Sequence, residues 1–565
     1  MIITNNMEYK PSFFKAIIGF SLIFLSNASL SQVALRDTVV QWQHHRFELN
    51  DDHSMKSFTT IDTDIQNIQF TGAKVIENDL IRLVIIPEYG ARVLSFYYKP
   101  TNHEYLYQSE IGSPYGIGDG NFYYDWLMVY GGIFPTFPEP EHGKTWFLPW
   151  DYSVVKNNTD TITIRMEYQD STNYAGAPGG FNNGITNITC RVDISVYSNS
   201  TIWDYEVTLI NNKPNNVNYE YWTCTTLAPG SETGNTGSPL NSEIVVPVDE
   251  YVAGWSPGSW IGSYNTRHKM TDIDYLHKWD DMGIAYGYNL DETYWGVINH
   301  DNEEGIFRIS ENIETKGMKL WTWGKNNVDN NLYDFSNGGA DNYIELWAGV
   351  SNAFFEDAIL APNQTKNWTE SYCASVGLSS IININNEAAV NLLWQESDLN
   401  LRYELNTFIT DRVYNMQLYI DGENFIEVAE RTIAFAPLGT AESISLTDLN
   451  LSVGEHLVRL DLYDESDQLI LEASKLIDVS TVLATSILNP KSMSVKLNSL
   501  GNYSIELFLP NNDEYLLKVL NLNGSIILED RFNGPTNRVK LPGSGLYIFN
   551  ITGRKSAFSG KIFIR

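Results

Sequence analysis

Cysteine is scarce in this chain of 565 residues: Cys190, Cys224 and Cys373 are the only three. Three thiols exclude a disulfide framework and leave room for one bridge, with Cys190 and Cys224 as one available pairing. No CxxC or HExxH spacing occurs, so the sequence points to no zinc site and to no metal ligand set. Basic charge is scarce too. With 37 Lys and Arg against 69 Asp and Glu the net charge is −32, which excludes a nucleic-acid binder, because that role needs a basic footprint. It also weighs against a polyanionic substrate, although charge fields fade beyond a Debye length of about 8–10 Å and a local cationic cleft stays compatible with an acidic sugar. After the amino terminus no apolar run is long enough to cross a bilayer, which excludes stable membrane insertion of the mature chain. Sustained helical periodicity is missing, and so is the repeat of about 40–50 residues that a propeller would show.

Aromatic residues are what the chain does have, at 13%, including 15 Trp and 33 Tyr. Strands favour such residues, so most of the rings belong to β-sandwich cores; a handful suit a cleft where flat faces stack on sugar C–H groups. Strand patterns run throughout, for example Ile81–Ile86, Thr161–Glu167 and Thr201–Ile210. The chain is too long for one core, and it divides into four stretches. Residues 1–31 read as a signal peptide: Lys10 and Lys15 precede the apolar run Ala16–Leu25, and Ser29 and Ser31 suit cleavage before Gln32. Residues 32–382 read as one large all-β sandwich, 383–482 as an immunoglobulin-like accessory sandwich, and 483–565 as a second small sandwich.

Two resemblances add to this. The last stretch, with Leu541-Pro-Gly-Ser-Gly-Leu-Tyr-Ile-Phe549 and a basic closing strand Gly560–Arg565, resembles the type A sorting domain of the type IX secretion system. That implies export across an outer membrane, the secretion machinery as a partner, and a secreted or cell-surface location. The segment Asn78–Ser95, whose strand ends in Pro87-Glu-Tyr-Gly-Ala-Arg92, resembles the opening of galactose-mutarotase-like proteins. Lys319-Leu-Trp-Thr-Trp-Gly324, Tyr343-Ile-Glu-Leu-Trp-Ala-Gly349 and Leu360–Tyr372 are similar to the ordered motifs of an uncharacterised family in that superfamily. The resemblance implies a large twisted sandwich acting on carbohydrate. In mutarotases a Glu takes the anomeric proton and a His protonates the ring oxygen. Glu345 falls where that Glu would lie, and His142, in Glu141-His-Gly143, resembles the first histidine element. The second histidine is absent: the matching stretch Asn218–Cys224 carries Trp222 instead.

Glu345 sits on a strand between Ile344 and Leu346 and so points away from both. A carboxylate turned inward there must be paired or functional. Arg92 offers a planar fork for a carboxylate or sulfate. Lys144, Arg267 and His268 are candidates for a local basic pocket, Tyr130 for a phenol acid, and Trp126 with Trp222 for a stacking platform. These side chains support three readings. The first is β-elimination on a uronic-acid-containing, algal-type glycan, as lyase or dehydratase. It needs a cation on the uronate (Arg92, Lys144 or Arg267), a base (His142 or His268) and an acid such as Tyr130. The second is an epimerase or mutarotase using Glu345 with an unconventional acid, and the third is a non-catalytic carbohydrate-binding protein. No cofactor is expected, with Ca²⁺ among the Asp/Asn loops left open.

Overall fold

The computed structural model describes residues 32–49, 55–58, 64–109, 111–112, 131–139, 143–146, 148–171, 184–232, 237–329, 342–421, 426–449, 451–479, 496–501, 504–509, 514–521, 525–534, 536–543, 545–553 and 557–564. The amino-terminal stretch 1–31 lies outside them. The described chain is almost wholly strand; one short α-helix, Lys325–Asp329, interrupts it.

Two sheets make the large sandwich. A 13-stranded sheet runs from the Arg267–Lys269 edge strand through Glu250–Ala253, Gly283–Tyr288, Gly317–Thr322, Ile344–Gly349 and Trp222–Ser231. It continues through His103–Leu106, Arg92–Tyr98, Ile81–Ile86 and Ile65–Glu77 to Ala34–His45. An eight-stranded sheet faces it, with Thr161–Gln169, Thr189–Tyr197, Trp203–Ile210 and Thr365–Val376 at its centre. Alternate residues from both sheets, among them Leu83, Ile85, Met318, Leu320, Leu346, Val192, Tyr205 and Ala374, fill the core between them.

The two sheets differ in their outward faces. Trp203–Ile210 alternates buried and half-buried positions, as a strand with one wet face should. Trp222–Ser231 and Ile344–Gly349 are buried at every position. The outward face of the 13-stranded sheet is therefore covered too, by a second apolar cluster that includes Trp42, Tyr89, Phe134, Trp146, Trp222, Trp347 and Phe354.

Two smaller sandwiches follow, each of two sheets with its own core, spanning Asn383–Val479 and Lys496–Ile564. The fold is thus all-β, a large sandwich followed by two smaller ones. The first small sandwich shares a core with the large one. Ile202, Tyr294, Phe307 and Cys373 pack with Ile381, Ile384, Ala389 and Phe408. Tyr294 donates to the Ile382 carbonyl at 3.0 Å and Tyr98 to the Pro437 carbonyl at 2.7 Å.

Candidate functional site

Strand register lines up two rows on the covered face. In the first, Phe134 lies opposite Cys224, and Cys224 sits one step along from the Thr223–Ala348 pair, which sets it beside Trp347. The row goes on through Lys319 opposite Trp347, Tyr286 opposite Lys319, Val252 opposite Tyr286, and Arg267 at the edge opposite Val252. The second row is Gly132, Thr226, Glu345, Trp321 and Ile284. Because side chains alternate across a pleated sheet, residues two apart share a face, and the two rows lie side by side.

Lys319 and Glu345 meet where the rows adjoin. Lys319 Nζ donates to Glu345 Oε2 at 2.6 Å, and both side chains are buried. The ammonium lies 3.9 Å from the Trp347 ring centre, 5.6 Å from that of Trp321 and 5.7 Å from that of Phe354. Such rings hold a cation with their electron-rich faces. Tyr343 OH donates to Glu345 Oε1 at 3.4 Å and its ring stacks on Tyr107 at 4.2 Å. Burial raises the proton affinity of Glu345, opposed by the Lys319 charge and hydrogen bond. Burial and the Glu345 charge push the Tyr343 phenol well above its usual range.

Arg92 stands beside this pair in the same electrostatic field: Glu345, Lys319 and Arg92 all act on the thiol of Cys224, after burial, which raises it most. Arg92 is itself buried, its guanidinium 3.8 Å from the Phe134 ring centre and 5.2 Å from that of Tyr89, with Nη1 donating to the Gly131 carbonyl. The Pro87–Arg92 turn that delivers it depends on Gly90. At φ +68 a Cβ there would sit 1.9 Å from the Trp146 carbonyl oxygen, so only glycine fits.

The other residues singled out from the sequence scatter. Trp222 is fully buried on the same face, its ring lying over Gly349, where a Cβ would come within 2.2 Å of it. Arg267 is exposed at the sheet edge, bonded to Tyr288 OH at 3.3 Å and 3.6 Å from Glu250. His268, next in the strand, points to the opposite face, where it stacks on Tyr251 and its Nε2 bonds Thr266 Oγ1 at 2.8 Å. Lys144 does not join a basic pocket. It is buried in an ion pair with Asp170 at 3.0 Å, and Asp170 also accepts from the Thr186 amide and hydroxyl. A buried carboxylate needs a cation, and Asp170 takes this one. His142, Tyr130 and Trp126 lie outside the described residues. Among the described residues no group of three or more His, Cys, Asp or Glu side chains is placed to hold a metal ion.

Lys319 is a candidate residue that the sequence did not single out. The signal was present, since Lys319 and Trp321 alternate onto one face within Lys319-Leu-Trp-Thr-Trp-Gly324. The cysteines are unbridged: Cys190 belongs to the core between the sheets and Cys224 to the outward cluster. Burial raises all three thiols. Since the thiolate is the reactive form, a bulky thiol reagent should leave the native chain unlabelled and mark three sites after denaturation. Fast labelling of native protein would contradict the burial.

The architecture is that of a large two-sheet β-sandwich whose outward face carries a charged pair in an aromatic setting. Residues 55–374 match the model of a domain of unknown function, DUF5107, over more than half the chain, and the chain belongs to that family. Solved structures are similar to parts of the chain at low identity. A TPR-domain containing protein from Parabacteroides distasonis is 15% identical, with 61% of this chain and 55% of that one covered and a TM-score of 0.49. The match thus spans about half of that protein's length. A galactose mutarotase-like protein from Clostridium acetobutylicum is 11% identical over 55% of this chain and 97% of its own, TM-score 0.39. One from Lactobacillus casei is 12% identical over 54% and 100%, TM-score 0.36.

Proposed function

We propose that the large sandwich is a carbohydrate-active enzyme domain that moves protons at the outward face of its 13-stranded sheet. The observation that carries this is the buried Lys319–Glu345 pair set among Trp321, Trp347, Phe354 and Tyr343. Of these rings the half-buried Trp321 offers flat apolar surface to a pyranose, and the pair supplies a base and a cation in one place. In the reading favoured here, Glu345 takes the proton of an anomeric hydroxyl while the C1–O5 bond opens and C1=O1 forms. Lys319 gives the ring oxygen its proton, and closure on the other face of C1 returns both protons. The missing second histidine is then replaced by an ammonium already bonded to the base.

β-Elimination on a uronic-acid-containing oligosaccharide, as lyase or dehydratase, is the second reading. It is favoured by the cations Lys319 and Arg92 beside the one carboxylate Glu345, with Arg267 at the sheet edge, where Glu250 lies 3.6 Å from it. One of these cations would neutralise the uronate and acidify its C5 proton. The full chain should be incubated with reducing aldoses, following anomer exchange by NMR, and with uronate oligosaccharides, following ultraviolet absorbance and product mass. Faster anomer exchange that is lost in Glu345→Gln supports the first reading. A rising absorbance supports the second, with loss of water marking a dehydratase and scission a lyase. Binding without either change moves the domain to a non-catalytic sugar binder. We also propose export to the cell surface or medium, supported by the amino-terminal apolar run and the carboxy-terminal sorting resemblance; cell fractionation tests it.

A further inference from the structure

Glu220 is buried at 1% exposure, and the chemistry proposed above makes no use of it. It stands between the Val217–Tyr219 strand and the Trp222–Ser231 strand, with its amide donating to the Pro138 carbonyl at 2.7 Å. Its carboxyl accepts the Trp222 indole N–H at 3.2 Å and also hydrogen-bonds the backbone amide of Phe355. Those two partners lead straight to the charged pair. Trp222 packs edge-on against Phe354 at 5.0 Å, and Phe354 lies 5.6 Å from Trp347 and 5.9 Å from Tyr286. The Phe354 amide donates to Tyr286 OH at 3.4 Å, which fixes the backbone of the loop between the Ile344–Gly349 and Ala358–Leu360 strands. Phe355 itself stands at φ +66 with its ring exposed. A bulky residue keeps that left-handed backbone only where its surroundings over-determine it. The Glu220 carboxyl is one such constraint.

We propose that Glu220 is a positioning residue whose buried carboxyl pins Trp222, and through it the 350–357 loop, over the Lys319–Glu345 pair. This deepens the reading of the site given above and rests on it for the pair's role in chemistry. Among the described residues two further carboxylates face Glu220: Asp357 from the loop, and Glu139 from the segment after the Gly132–Thr136 strand. Burial first, then these two charges, raise its proton affinity to about 8, against the lowering effect of the Trp222 and Phe355 hydrogen bonds. Ionisation sets the buried Glu220 charge against Glu139 and Asp357, and the loop that carries Asp357 is free to lift.

The sign follows from linkage. Because the folded site binds the proton more tightly than the opened one, the latch is complete at low pH, weakens as pH rises from about 4.5, and levels off above about 8. Hydrogen exchange of the 350–357 segment in the full, ligand-free chain tests this, with rates normalised to the unfolded chain at each pH. Wild-type protection should fall by up to about tenfold per pH unit between pH 6 and 8 and then flatten. Glu220→Gln, which mimics the neutral carboxyl, should hold protection flat across that range. Glu220→Ala should give low protection at every pH. A Glu220→Gln slope like that of wild type, or a Glu220→Ala loop as protected as the parent, overturns the proposal. Loss of all sugar chemistry with this exchange pattern intact would fault the reading of Glu345 and leave the latch standing.

Discussion

Replacing Lys319 with alanine should destabilise the large sandwich by about 3–5 kcal/mol, the usual cost of leaving one member of a buried pair alone. Lys319 and Glu345 are both buried, so solvent cannot replace the lost ammonium. The Glu345 carboxyl would then be pushed further up, since burial already raises its proton affinity and Lys319 is the main force opposing it. Two variants separate stability from chemistry. The double variant Lys319→Met with Glu345→Leu, close in volume and uncharged, should recover most of the stability, because an apolar replacement of a whole pair is often neutral or better. It should recover none of the activity. Glu345→Gln alone should fold and show anomer exchange reduced by at least about a hundredfold, the low end of general-base contributions. Urea denaturation measures the first effect and NMR the second. A Lys319→Ala protein as stable as the parent would show that the pair is solvated and would remove the basis for its chemistry.

Replacing Glu370 with alanine should cost as much, about 3–5 kcal/mol, with no specific effect on the site. Glu370 is fully buried between the sheets and accepts from Arg308 Nε at 2.8 Å, Thr223 Oγ1 at 2.6 Å, Trp368 Nε1 at 3.0 Å and Tyr372 OH at 3.0 Å. Arg308 lies 4.0 Å from the Trp295 ring centre and donates to Thr315. Thr223 comes from the 13-stranded sheet and the other partners of Glu370 from the eight-stranded one, so this carboxylate fastens one sheet to the other. Its loss strands a buried guanidinium and leaves three donors without an acceptor. The same denaturation experiment reads it. A loss below about 1 kcal/mol, the size of an exposed ion pair, would mean water reaches the gap.

The sequence carried the fold further than it carried the site. Period-two alternation placed Glu345 on the face away from Ile344 and Leu346, and it lies there. The Pro87–Arg92 resemblance singled out Arg92, which is buried on that face. What alternation cannot supply is register between strands distant in the chain. Lys319 and Glu345 are brought opposite each other only through the pairing of Gly317–Thr322 with Ile344–Gly349. The same gap explains Lys144, whose partner Asp170 lies on the far side of a whole strand hairpin. It explains His268 as well: beside Arg267 in sequence, it is on the other face of the sheet by that same alternation. Glu220 gave no signal, because a carboxyl between two tyrosines reveals nothing until the loop carrying Phe355 is folded over it.

The core shared by the large sandwich and the first small one sets where the chain can be cut. Ending it after Val376 would uncover Ile202, Tyr294, Phe307 and Cys373 together and leave the Tyr98 and Tyr294 hydroxyls without their carbonyls. A piece cut after Val479 should therefore fold better than one cut after Val376, with the two sandwiches expected to melt together. A ligand held on the outward sheet would thus be borne by both sandwiches together, through the apolar cluster they share.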